Sequence, residues 1–289
     1  MDERSALGML ADELGPAGDD AAVIDGLVVT TDMLHERTDF PPGTTRYTAG
    51  WRTIGASLSD VAAMGGAATA AVAAYGAPTF DPDEIRAFVD GASDVCALTG
   101  AEYVGGDLDN HDEFTVAGTV VGKAEDPVYR SGASPGEAIY VTGTLGRTGA
   151  AVREFDRGNV GRGNELFQFE PRVAAGRQLA SVATAMMDSS DGLARSLHQL
   201  AAASDCGFHV EWDRLPVDPS VDAVAANEAE RRELSTYFGE DFELVFTASP
   251  AAVDGVRDAV GVSLTRLGTV TDSEVLADGE PLPDRGYTH

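Results

Sequence analysis

Residues 186–197, MMDSSDGLARSL, place Asp188 and Asp191 on either side of two serines, between an apolar run and a helical one. Ser190 is a helix-capping type, Leu193, Leu197 and Leu200 recur at helical spacing, and Asp191 in a first turn suits the positive end of the helix dipole. Capping leaves Asp188 without a role. Other acids in unexpected places are Asp19, Asp20, Asp32, Asp60, Asp107 and those of GEDFELVF at 239–246. Aspartates beside hydroxyl and amide groups are hard oxygen ligands suited to Mg2+, whereas the five histidines are scattered without zinc spacing. Several magnesium ions imply phosphate-rich substrates. Neither a GxxxxGK[ST] loop nor a kinase catalytic loop occurs, and Gly143, Gly146 and Gly149 lack dinucleotide spacing, so ATP would need another scaffold.

The charge balance sets a caution on such ligands. With 48 acidic against 20 basic residues, a net charge of −28 and Lys123 as the single lysine, most acids serve solvation. This balance argues against nucleic acid as a partner. A surface this acidic repels itself unless salt screens it, over about 3 Å near 1 M, which points to a salt-rich cytoplasm. The chain of 289 residues, 43% hydrophobic, is long enough for two compact units. No apolar stretch reaches membrane-spanning length, and MDERSALGML lacks the pattern of a signal peptide, so a cytoplasmic protein without membrane contact is expected. Cys96 and Cys206 read as small core residues of a reducing compartment.

The elements that must position these acids follow from pattern. Asp25-Gly26 between two apolar runs predicts a hairpin over 21–31. Tyr47, Trp51, Ile54, Leu58 and Val61 predict a helix ending at Gly65 and Gly66. A strand around 70–75, a helix from DPDE at 81–84 to Gly100, a short strand through Val104 and the strand FTVAGTVVG complete a mixed first unit. Residues 123–137, KAEDPVYRSGASPGE, read as the connection. Beyond it come strand AIYVTG, helices near 148–156 and 171–184, a strand into Met187, and a helix from 191. Strand FHVEW, a helix near 220–235, strand FELVFTA, a helix at 250–259 and strands near 263–270 and 274–277 follow, an α+β pair of domains.

In the hairpin, counting back from the turn sets Asp20 opposite Thr31 and Asp19 opposite Asp32. Like charges so placed need splayed, solvated ends or a cation between them. Asp60 sits among Gly55, Ala56, Ala62 and Ala63, either on a wet helical face or buried with a partner. In GGDLDN, 105–110, the glycines permit either close approach of a ligand or a plain turn.

Read in order, GDDAAV (18–23), VVTTDML (28–34), GWRTIGASLSDVAAMGG (50–66), GGD (105–107), YRSGASPGEAIYVTGTLG (129–146), MDSSDGLARSL (187–197), GEDFELVF (239–246) and GYTH at the end resemble the thiamine-monophosphate kinase family. The resemblance spans nearly the whole chain. It implies the two-domain aminoimidazole-ribonucleotide synthetase-like fold. A first α/β domain, 1–125, would bind metal and ATP and pair its sheet with that of a second subunit. A larger α+β domain, 126–289, would complete the ATP and substrate cleft. Carried over by motif, Asp20, Thr30, Thr31, Asp32, Asp60, Asp107, Asp188 and Asp191 coordinate magnesium ions. Gly106, Asp107, Arg130 and Ser190 contact ATP, and Glu240 and Tyr287 face the thiamine moiety.

The chain departs from the family where a histidine precedes Phe40: DMLHERTDF has Asp39 there, with His35 a possible substitute, and GGDLDN lacks the threonines that follow GGD in the family. The activity implied is transfer of the ATP γ-phosphoryl group to thiamine monophosphate, giving thiamine diphosphate, in a homodimer. No protein base is needed, since the acceptor phosphate has its second pKa near 6. Two alternatives stand beside this: another superfamily member, whose characteristic cysteines are absent, and a non-catalytic magnesium or nucleotide-binding module.

Overall fold

The computed structural model describes residues 18–287 together with residues 9, 13 and 14, so most of MDERSALGML and the last two residues of GYTH lie outside the described residues. Two sheets carry the architecture. The first has the order β1-β2-β5-β3-β4, built from β1 (Ala22–Ile24), β2 (Leu27–His35), β3 (Ala67–Ala77), β4 (Glu102–Asn110) and β5 (Thr115–Lys123). Helix α1 (Arg46–Ala63) joins β2 to β3, and α2 (Pro82–Thr99) joins β3 to β4. Asp81 caps α2 by accepting from the amides of Asp83 and Glu84, and Gly100 ends it with φ 78°.

The hairpin forms as its Asp-Gly pair dictates, with Ile24 opposite Leu27 and φ of 51° and 77° at Asp25 and Gly26. Its ladder stops at Ala22 opposite Val29, so Asp20 does not pair with Thr31, nor Asp19 with Asp32. The reason is electrostatic: the chain bends away and both acids turn to Arg130, which removes the facing like charges. GGDLDN is likewise not a turn. Strand β4 runs through it to Asn110, parallel to β3, with Gly105 at φ 138° beside a register shift at Ala71 and Val72. Pairing with the alanine-rich β3 overrides the turn composition.

The second sheet has the order β12-β11-β8-β10-β6-β9-β7, with β6 (Ala138–Thr142), β7 (Ala185–Asp188), β8 (Gly207–Val210), β9 (Leu244–Ala248), β10 (Leu264–Thr271), β11 (Val275–Ala277) and β12 (Glu280–Pro281). Its helices are α3 (Arg147–Asp156), α4 (Val160–Phe167), α5 (Val173–Leu179), α6 (Leu193–Ser204), α7 (Pro219–Val224), α8 (Glu228–Thr236) and α9 (Pro250–Val260). The expected helix near 171–184 is thus the shorter α5, preceded by α4, and that near 220–235 is split into α7 and α8. Helix α6 starts at Leu193 behind Gly192, φ 94°, so Ser190 is not its cap and Asp191 precedes its first turn.

Helix α1 is the spine. It packs on β2, β3 and β5 of the first sheet and on β7 and α5 of the second half, and is buried along most of its length. Its small residues make this possible: a Cβ at Gly50 would lie 2.1 Å from the Phe88 carbonyl oxygen of α2. One apolar core runs from Val28 and Leu58 through Leu179 to Phe246, and a second lies between α6 and the second sheet around Leu197, Phe208 and Val245. Among the described residues, no helix is long and apolar enough to cross a membrane.

Candidate active site and metal centre

Three elements deliver three carboxylates to one point. Asp20 from the chain before β1, Asp60 from α1 and Asp188 from the end of β7 each present an oxygen, all within 4.8 Å of one another. Asp188 is fully buried, accepting from Ser59 Oγ at 2.6 Å and from its own turn at Ser190 N, 3.1 Å. Asp60 accepts from Thr30 Oγ1, on the face of β2 that meets α1. Two residues on, Asp32 shares that face, accepts from Ser57 Oγ at 2.6 Å and adds its charge to the field on Asp60. Arg130 supplies the counter-charge, donating to Asp20 from Nε at 3.2 Å and Nη2 at 2.9 Å, while its amide donates to Asp19 at 2.6 Å.

Crowding and burial together make this site expensive to keep ionised. Desolvation, then the charges of Asp32, Asp188 and Asp20, hold the Asp60 carboxyl well above the usual carboxylate range. Desolvation and Asp20 push Asp188 up to about 7. Such a set, all oxygen and short of positive charge, fits a hard divalent cation such as Mg2+ and would be relieved by it.

Not every candidate joins the cluster. Thr31 lies on the opposite face of β2 from Thr30, its hydroxyl donating to the Gly118 carbonyl at 2.9 Å. Asp191 lies outside the triad and accepts from Gln199 Nε2 at 3.2 Å. Ser190 links two loops, its carbonyl accepting from Glu240 N at 2.7 Å. Asp32, Gly118, Ala73 and Gly106 form one row across the first sheet, so Gly106, with Asp107 beside it, lies three strand spacings from Asp32, about 14 Å. Gly106 and Asp107 instead line a cavity of about 380 Å³ with Tyr75, Phe88, Val89 and Leu108 at the edge of the sheet.

The substrate candidates do converge. Glu240 accepts from Arg52 Nη2 at 3.1 Å, and the Tyr287 phenol is raised by burial and then by the charges of Glu240 and Asp39. The Tyr287 hydroxyl donates to the Thr38 carbonyl at 3.3 Å. Asp39 also closes its own turn, accepting from His35 N at 2.6 Å and Thr38 Oγ1 at 2.8 Å. The His35 ring bonds Thr115 Oγ1 at 3.0 Å through Nδ1. Sequence reasoning missed the centre of this group. Arg52, 3% exposed, lies 3.7 Å over the Phe167 ring and near Phe169 and Phe242, which stack at 4.1 Å. The one available signal was a lone arginine inside the otherwise small and apolar run GWRTIGA.

Comparison with known proteins decides the family. Residues 18–124 match the family described as AIR synthase related protein, N-terminal domain, and residues 134–278 match AIR synthase related protein, C-terminal domain. A thiamine-monophosphate kinase of Halobacterium salinarum is 60% identical over 291 residues, 100% of each chain. The chain belongs to the thiamine-monophosphate kinase family. A further member, from Methanospirillum hungatei, is 39% identical over 100% of this chain and 99% of its own. The solved thiamine-monophosphate kinase of Stenotrophomonas maltophilia K279a is 31% identical with a TM-score of 0.83, over 96% of this chain and 94% of that one. AaThiL complexed with AMPPCP and TMP, 24% identical over 100% and 97%, shares the fold with a TM-score of 0.91. The α+β architecture implied by the family motifs is the one observed. LSDVAAMGG, RSGASPGE and DSSDGL, the most specific of those thiamine-monophosphate kinase motifs, bring Asp60, Arg130 and Asp188 to a single cluster.

Proposed function

We propose that this protein transfers the γ-phosphoryl group of ATP to the phosphate of thiamine monophosphate, in line, giving thiamine diphosphate and ADP. The observation that carries this reading is the convergence of Asp20, Asp60 and Asp188, with Asp32 alongside, at the junction of the two sheets. Asp20, Asp60 and Asp188 would hold several Mg2+ ions together with Thr30 and Asp32, Asp191 would contribute at the margin, and Thr31, whose side chain faces away, would take part only through its main chain. Bound there, magnesium supplies charge neutralisation between two anionic phosphates. Arg130 presents paired N–H donors that match phosphate oxygens as well as they match Asp20. Ser190, in the turn that follows Asp188, would contact ATP beside it. Glu240, Tyr287 and Asp39 would border the thiamine pocket, where the Asp39 carboxylate, and that of Glu240 beside Arg52, would face the cationic thiazolium ring. No side chain need accept a proton, because the acceptor phosphate is mostly dianionic at neutral pH.

The division at 125/126 is supported by the strand-free stretch between β5 and β6. A homodimer formed through the first sheet is supported by its edge strand β4, where Val104 and Leu108 are 60% and 51% exposed. Gly106 and Asp107 on that strand would then serve ATP and metal across the dimer. Incubation with ATP, Mg2+ and thiamine monophosphate in molar salt is expected to yield thiamine diphosphate. Preference for free thiamine as acceptor, or ATP binding without transfer, would overturn the reading.

A further inference from the structure

The loop that carries Glu240 has a backbone shape that side chains avoid. Gly239, Glu240 and Phe242 have φ of 83°, 56° and 54°, left-handed values suited to glycine. The residue between the two strained side chains, Asp241, bonds the start of α3. Its Oδ2 accepts from Gly146 N at 2.5 Å and its Oδ1 from Thr148 N at 2.9 Å. Thr148 Oγ1 returns a bond to the Glu240 carbonyl at 2.7 Å. On the other flank, Glu240 N donates to Ser190 O and Glu243 N to Ser189 Oγ, at 2.7 and 3.0 Å. The Glu243 carboxylate is fixed in turn by Arg172 Nη2 at 2.6 Å and Thr142 Oγ1 at 2.6 Å. Strain of this kind persists only where the surroundings over-determine it. Here the surroundings are a clamp on Asp241 from α3 and a tether to the turn that bears Asp188.

We propose that Asp241 is a positioning residue for acceptor recognition. It holds Glu240 in the left-handed conformation that points its carboxylate at Arg52, and so sets the affinity for the thiamine phosphate rather than the transfer step. The proposal rests on Glu240 belonging to the acceptor pocket. Asp241→Asn replaces one accepting oxygen by a donor that meets a backbone N–H, and Thr148→Val deletes the bond to the Glu240 carbonyl alone. In Asp241→Asn the KM for thiamine monophosphate is expected to rise about tenfold or more, with the KM for ATP changed less than about twofold and kcat less than about threefold. Thr148→Val should show the same selectivity on a smaller scale, and it decides the matter if the Asn variant does not fold. A folded Thr148→Val protein whose two KM values are unchanged, or rise together, overturns the proposal. So does a crystal structure of Asp241→Asn in which Glu240 keeps its φ near 56°. That structural outcome is independent of the acceptor, whereas a wild-type protein inert towards thiamine monophosphate contradicts the functional reading alone.

Discussion

The Arg52 guanidinium, inside the helix that packs against both halves of the fold, donates to the Glu240 carboxylate at 3.1 Å across 188 residues of sequence. Both partners are nearly excluded from water, so neither charge is stable without the other. Arg52→Met is expected to cost about 3–5 kcal/mol in denaturant unfolding, because it strands a buried carboxylate. The double variant Arg52→Met, Glu240→Gln should recover a good part of that loss. Equal stability of the single variant and the wild type would show that the pair carries no such coupling.

Stability without metal should depend on pH in a definite direction. Asp188 and Asp241 are both raised from an ordinary 3.8 to about 7, chiefly by desolvation, and Asp60 is raised with them. A folded-state pKa above the unfolded one contributes stability that is complete below about pH 4 and lost as pH rises through about 7. Chelator-treated protein is therefore expected to unfold more readily at pH 8 than at pH 5. Added Mg2+ should raise the melting temperature more at pH 8, where the carboxylates it requires are ionised. A metal increment that is equal at the two values would count against these acids as ligands.

Net charge sets a second condition. At −28, the surface repels itself over about 10 Å in 0.1 M salt and only about 3 Å near 1 M. Melting temperature and turnover are both expected to climb from dilute buffer into molar KCl. Indifference to salt would remove the case for adaptation to a salt-rich interior.

The exposed edge of β4 should be an interface. Sedimentation in molar salt is expected to show a dimer for the wild type and a monomer for Leu108→Arg, with a raised KM for ATP in the variant if Gly106 and Asp107 act across the dimer. A monomeric wild type would contradict it.

Where the physics was local, the sequence was a good guide. Asp25-Gly26 specified its turn, and Asp81 and Gly100 bounded α2, because each acts within a few residues. GDD, TTD, LSD and DSSD pointed to a shared oxygen site, and Asp20, Asp60 and Asp188 meet there. Long-range partners were not legible. GGDLDN looks like a turn until β3 pairs with it, and Ser190 looks like a cap until the chain turns at Gly192 and the helix starts only at Leu193. The aromatic enclosure of Arg52 joins α1 to residues 167, 169 and 242, which no spacing rule relates.

Turnover of Asp60→Asn, measured as thiamine diphosphate formed from ATP and thiamine monophosphate at saturating Mg2+ in molar salt, tests most directly whether the carboxylate cluster is the phosphoryl-transfer centre. Changes that only disturb the surroundings of a metal ligand cost roughly 10–100-fold. Loss of the ligand itself is expected to cut kcat by more than about 100-fold, with the circular dichroism spectrum unchanged and the metal-free melting temperature equal or higher. Wild-type turnover in a folded Asp60→Asn protein would contradict the assignment.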